Sequence, residues 1–343
     1  MSQTREQQIL DFLKKNYMDK MQRYKLSSDA SFRRYERLNE GKKTLMLMDA
    51  PPDKENIEPF VNIDNYLIRR GFSAPKIYAS DSKHGFILLE DLGDESYTKV
   101  LSGNSPFSKY FTEKKLYTAA IDVLIQLSRS TLPQQTPDYD GELLMKECKL
   151  FIDWYLPNVN PQMNTQIVKD EYMAIWEKLL SFDRIAEDTV VLRDYHADNL
   201  MWLPERAGVE NVGLLDFQDA VIGSPVYDIV SLLEDARRDV ATDTVDACIE
   251  HYLSYRKLIK REDFLRAYAV LAAQRNCKIV GIFARLANRD GKQRYINYLP
   301  RVWKHLEKGL GHSALTDLKK WMDIAVPEEM RLPEKFQFME VVG

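Results

Sequence analysis

Asp194 and Asn199 stand five positions apart, and a second aspartate, Asp216, follows further along, directly before Phe217. These residue types suit one kind of chemistry. A carboxylate can orient a hydroxyl group and take its proton. An amide oxygen and a second carboxylate can hold Mg²⁺, a hard cation that takes oxygen ligands and bridges phosphate oxygens. An Asp, an Asn five residues on and a later Asp-Phe are the parts that transfer a phosphoryl group to a hydroxyl. Asp194 is then the expected base, and Asn199 and Asp216 the expected metal ligands.

The surrounding stretch places these groups. Residues 190–203 read VVLRDYHADNLMWL, and residues 211–228 read NVGLLDFQDAVIGSPVYD. Apolar runs at 189–192, 200–203 and 212–215, bounded by Pro and Gly, read as short strands. The three polar residues therefore sit where strands run out into loops. A polar hairpin tip with turn hydrogen bonds could use the same residues. The added Asp216-Phe217 and the downstream GSPVYD make that plainer reading much the weaker one.

At these residues the sequence resembles the aminoglycoside phosphotransferase/choline kinase-like family, a relative of the protein kinases. The family carries HGDxHxxN, then an apolar strand ending in ID followed by Phe or Trp, then GxPxxD. Here RDYHADN, LLDF and GSPVYD match in order and spacing, with Arg193 where the family has Gly. Within the family the resemblance runs to the anomeric kinases of N-acetylmuramate and N-acetylglucosamine, through stretches such as SDASFRRY, MDAPP, LFIDWYL, SLLEDARRDV and GIFARLANRDGK. It spans residues 28 to about 303. It implies an α+β, bilobal, protein-kinase-like fold with a small β-rich N-lobe and a mainly helical C-lobe. It also implies ATP and Mg²⁺ as cofactors, an amino-sugar acceptor phosphorylated at C1, and cell-wall sugar recycling. Structural bracing roles for His196 and Asp228 come with it.

Composition agrees with an ordinary soluble protein. The chain has 343 residues, 45% hydrophobic and 29% charged, with a net charge of −4. That length favours two lobes over one core. The charge gives no general pull toward nucleic acid or an anionic membrane. No apolar run approaches the roughly 20 residues that span a bilayer. The N-terminus MSQTREQQ has no signal core. Cys148, Cys248 and Cys277 are far apart and form no metal spacing, which suits a reducing cytoplasm. A small-molecule acceptor and ATP are the expected partners, with no nucleic acid and no membrane.

Residues 1–92 are expected to form the nucleotide-binding lobe, and 93–343 the helical lobe with the catalytic hairpin and acceptor site. A helix over 3–18 precedes a hairpin turning at 39–41 and returning over 44–48. Ser28, Asp29, Ala30 and Ser31 are expected to meet the nucleotide phosphates through hydroxyls and backbone N–H groups, though the segment alone fits an exposed hairpin equally well. The return strand TLMLMDAPP has no Lys for the phosphates, and Arg33 or Arg34 is expected to supply that charge. A helix follows over 59–70, where Glu55 and Glu58 read as a solvated start. Strands over 74–80 and 85–90 then run into Glu90-Asp91-Leu92-Gly93, where backbone near Glu90 and Leu92 is expected to hold adenine.

After Gly93 the apolar spacing is mainly helical. Polar residues interrupt apolar helices at 153–154, 234–238 and 274–278. Gln218, Arg275 and Lys278, with Asp194, are the expected acceptor contacts. Arg, Lys and amides suit an acetylated or anionic sugar, whereas an aminoglycoside or choline wants an acidic or aromatic-lined pocket. A catalytically silent binding module of the same fold remains the alternative of a different class, motivated by the missing Lys.

Overall fold

The structure, a computed structural model, describes residues 4–26, 32–181 and 186–338. Its contacts divide the chain into two compact units. One comprises 1–112 and 197–220, the other 113–196 and 221–343. The boundary expected near residue 92 falls inside the first unit. There Ser96 bridges Met201, and the Trp202 N–H donates to the Glu95 carbonyl at 2.7 Å.

In the first unit, helix α1 (Arg5–Lys15) is capped by Thr4, whose side chain accepts the Gln7 N–H. Strands β1 (Gln22–Lys25), β2 (Arg34–Glu40) and β3 (Lys43–Asp49) follow, then α2 (Glu58–Arg69), β4 (Ile77–Asp81) and β5 (Phe86–Glu90). They form an antiparallel sheet in the order β1-β2-β3-β5-β4. Strand side chains alternate between faces. Leu38, Leu45, Leu47, Phe86 and Leu88 pack with Ile9, Phe12 and Leu13 of α1. Tyr35, Arg37, Met46 and Leu89, at alternate positions, line a cavity. The short helix α3 (Tyr97–Leu101) ends this part of the chain.

The second unit is helical. It contains α4 (Glu113–Leu127), α5 (Gly141–Leu150), α6 (Leu156–Val159) and α7 (Gln166–Leu180), then strand β6 (Thr189–Val191). Strands β7 (Leu200–Trp202) and β8 (Val212–Leu214) pair antiparallel and belong to the first unit. Strand β9 (Val221–Gly223) pairs with β6. Helices α8 (Val226–Leu233), α9 (Thr242–Tyr255), α10 (Arg261–Arg289), α11 (Leu299–Leu310) and α12 (Thr316–Ala325) complete it.

Two local features set the core of the second unit. Residues Phe151–Tyr155 form a π-helical turn, in which the Leu156 N–H reaches the Phe151 carbonyl. Pro157 lies just beyond, and a proline ring clashes with the carbonyl four residues back in an α-helix. The wider turn carries Phe151 and Tyr155 into an aromatic cluster with Tyr172, Trp303 and Trp321. Gly281 lets α10 approach the end of α5, where a Cβ would lie 2.4 Å from the Leu150 carbonyl carbon.

Candidate active site

The cavity on the inner face of the first-unit sheet encloses about 460 Å³. Met46, Phe60, Leu89, Leu92, Met201 and Leu215 give it apolar walls, and Asn199 and Asp216 lie at its lining too. Gly213 in β8 makes this wall possible. A Cβ there would come within 3.0 Å of both Leu92 Cδ1 and Met201 Cβ. The Glu90 N–H donates to the Lys76 carbonyl at 2.8 Å, so that donor is not available to a nucleobase. The Glu90 carboxylate is held by Arg206 at 2.6 Å. Arg37 ties Asp91 and Asp94 together after β5, at 2.8 Å each.

Asn199 and Asp216 sit at the open end of the β7–β8 pair. Register pairs Leu200 with Leu214, and the next rung is the Leu215 N–H on the Asn199 carbonyl at 3.0 Å. Asp216 follows with φ +58°, a left-handed backbone that costs a non-glycine residue on the order of 1 kcal/mol. Phe217 turns inward and stacks on Phe60 of α2 at 5.0 Å between ring centroids. Gln218, expected at the acceptor, donates instead to Asp216 Oδ1 at 3.0 Å.

Arg33 is buried in this unit. It lies 3.7 Å from Asp216 and 3.5 Å from Glu55. Arg34 points to the other face, is exposed, and pairs with Asp49 at 2.9 Å. Glu55 is therefore a partner of Arg33, while Glu58 is exposed as expected. Ser28, Asp29, Ala30 and Ser31 lie outside the described residues.

In the second unit, the turn after β6 presents Asp194. Arg193 adopts φ +67° where the family motif has Gly, which takes such a backbone without strain. Asp228, at the start of α8, accepts the Leu192 and Arg193 N–H groups at 2.6 and 2.9 Å. The Ser231 hydroxyl donates to the Arg193 carbonyl at 3.0 Å, and the Tyr195 hydroxyl to the Ala120 carbonyl at 2.8 Å. These bonds hold a strained backbone in one shape. Burial pushes the Asp228 carboxyl up to about 7, against the opposing effect of its two N–H donors.

The charges around Asp194 decide its ionisation. Burial raises its pKa, but Lys278 above all, with Arg275, Arg193 and His196 where it is protonated, outweighs that and holds it below the usual aspartate value. Glu147 of α5 gathers two of these cations. Its carboxylate lies 2.8 Å from Lys278 Nζ and pairs with Arg193, while the Tyr139 hydroxyl and Gln274 donate to it. Lys278 also reaches the Tyr227 hydroxyl at 3.3 Å. Arg275 is buried and donates to the Glu234 carbonyl at 3.3 Å. Arg275 and Lys278, expected to meet the acceptor, thus make internal contacts and act on Asp194 through charge. His196 is buried, with Nε2 3.3 Å from Arg237, and burial lowers its pKa, so it is neutral near pH 7.

The pattern of a phosphotransferase enzyme family matches residues 24–274. The chain belongs to that phosphotransferase family. It is 35% identical to an N-acetylmuramate/N-acetylglucosamine kinase of Caulobacter vibrioides, across 96% of this chain and 99% of that protein. It is 38% identical to a protein of the same name from Pseudomonas aeruginosa, across 82% and 81% of the two chains. Among solved structures, choline kinase LicA from Streptococcus pneumoniae superposes with a TM-score of 0.61 at 12% identity, over 88% of this chain and 99% of that one. An aminoglycoside-3′-phosphotransferase of type VIII gives 0.56 at 14%, over 80% and 100%. These likenesses show the expected kinase-like fold, with a small antiparallel sheet and a mainly helical remainder. The chain is an enzyme, a phosphotransferase of the kinase type. Among the described residues no helix is long and apolar enough to cross a membrane.

Proposed function

We propose that the protein is an ATP- and Mg²⁺-dependent kinase that phosphorylates the C1 hydroxyl of N-acetylmuramate and N-acetylglucosamine, in the cytoplasmic recycling of cell-wall sugars. The observation that carries the reading is similarity across nearly the whole chain to kinases named for those two sugars.

Each part of the reaction has residues to serve it. The apolar walls of the first-unit cavity suit a purine ring, with backbone at Leu92 and Glu90 beside it. Arg33 supplies the phosphate charge that the strand with Met46 lacks. Asn199 and Asp216 offer one amide oxygen and one carboxylate. That sparse set fits Mg²⁺, which is held by one or two carboxylates and by phosphate oxygens. Mg²⁺ so held neutralises charge on the transferring phosphoryl group. In the second unit Asp194, kept anionic by its cationic neighbours, orients the sugar hydroxyl and accepts its proton.

Arg193, Arg237, Arg275 and Lys278 make the surroundings of Asp194 rich in cations. That charge suits an acetylated or anionic sugar and opposes a cationic aminoglycoside or choline. Arg33 beside Asp216 also removes the motive for a silent module.

The test is the product. Incubation with ATP, Mg²⁺ and either sugar should give a non-reducing, acid-labile phosphate whose phosphorus couples to C1 in the NMR spectrum. Asp194→Asn should lower turnover by roughly a hundredfold or more. Coupling to C6, or no turnover of either sugar, refutes the assignment.

A further inference from the structure

Among the described residues, the loop after α8 holds polar groups that the expected reaction leaves unused. The chain leaves helical geometry at Glu234, with ψ +56°, and passes through Asp235, Ala236 and Arg237. Asp235 is only 1% exposed, yet among the described residues its Oδ2 has no hydrogen-bond partner. Its Oδ1 accepts the Arg237 N–H at 2.8 Å. A buried carboxylate oxygen without a donor costs roughly 1–3 kcal/mol, so such an atom calls for a donor from an ordered water or from a ligand group. Arg237 is exposed, and its guanidinium lies 3.3 Å from His196 Nε2. His196 is two residues beyond Asp194, and the charges of Asp194, Asp235 and Arg237 all act on its ring. The loop therefore touches the side chain two positions beyond the base.

We propose that Asp235 and Arg237 read the acceptor sugar, Asp235 taking a hydroxyl or acetamido N–H and Arg237 the lactyl carboxylate of N-acetylmuramate. This rests on the amino-sugar reading above. The two sugars differ by that carboxylate, so a guanidinium that meets it affects one and not the other. An arginine suits the task because its planar fork matches a carboxylate with two parallel hydrogen bonds. Asp235 faces what both sugars share.

The experiment is steady-state kinetics of the full chain with both sugars at saturating ATP. Arg237→Ala should lower kcat/KM for N-acetylmuramate by roughly ten- to a hundredfold and that for N-acetylglucosamine far less. Arg237→Lys should recover only part of the loss, because an ammonium lacks the fork. Asp235→Asn should raise KM for both sugars several-fold with little change in KM for ATP. Arg237 is exposed, so its variants are expected to fold, and a thermal melt verifies this. Equal losses on both sugars with Arg237→Ala, or no loss on either, overturn the inference alone. Failure of the unaltered protein on both sugars overturns the acceptor assignment and this inference with it.

Discussion

The Arg33 guanidinium lies 3.7 Å from the Asp216 carboxylate, and its Nε lies 3.5 Å from Glu55. Burial lowers the pKa of Arg33, but Tyr35, Glu55 and Asp216 outweigh it, so the residue stays a cation. In the function proposed above, this fixed positive charge beside an expected metal ligand, with a carboxylate behind it, takes the place of the absent strand lysine. Arg34, one residue on, faces the other way and pairs with Asp49, which Arg5 also grips at 2.9 Å.

These two neighbours should therefore behave differently. Arg33→Ala is expected to raise KM for ATP by roughly tenfold or more, as loss of one charge-assisted contact does, without altering preference between sugars. Arg34→Ala should leave ATP kinetics close to normal, with only a modest loss of stability, because the buried Asp49 keeps Arg5 as a partner. Steady-state ATP titrations of both variants decide it. Reversal of the order would move the phosphate anchor away from Arg33.

The pH profile tests the charges around Asp194. Its carboxyl lies below the ordinary aspartate value, so the basic form persists as pH falls, and its share of stability is lost only as pH drops through that lowered value. Lys278→Met removes the largest opposing charge, and burial then acts with less opposition. The acid limb of kcat/KM should move to higher pH. Glu147→Gln removes the anion that offsets Lys278 and Arg193, and the limb should move to lower pH. Opposite shifts in two variants are not expected of simple loss of packing. Shifts of the same sign, or none, would remove this cluster from the ionisation of Asp194.

Much of this architecture is legible in the sequence because it rests on local periodicity. The apolar spacing over 113–127 and the apolar runs at 44–48 and 86–90 lead directly to α4, β3 and β5. The pattern Asp194, Asn199, Asp216 is legible because loop chemistry follows the ends of strands. What periodicity does not carry is orientation set by distant partners. Alternation puts Arg33 and Arg34 on opposite faces but does not say which face holds the cavity. That follows from α1 covering Leu45 and Leu47. Strand β1, with the sequence QRYK, has no apolar alternation and is defined by its pairing with β2. The sequence does not show that Glu147, 131 positions earlier, lies 2.8 Å from Lys278. Asp235 and Arg237 stood inside a run noted for its polarity, but only burial separates the unpartnered Asp235 oxygen from ordinary helix-end charge.

Asp64 offers a test that is independent of the acceptor. It lies on α2 and is fully buried, and among the described residues neither carboxylate oxygen has a hydrogen-bond partner. Burial, with a smaller effect of Glu90, pushes its carboxyl up to about 7. In the unfolded chain the group ionises near 3.8. Between these values the folded protein holds a proton that the unfolded chain has released, so stability falls as pH rises. The fall is complete above about pH 7, where it amounts to about 4 kcal/mol as an order of magnitude. Asp64→Asn removes the charge while keeping the shape. Its stability relative to the unaltered protein should therefore rise from pH 4 to pH 7 and then level off. Urea midpoints at pH 5, 6 and 8 measure this. A difference that does not vary with pH would show that Asp64 is charged and partnered in the folded protein.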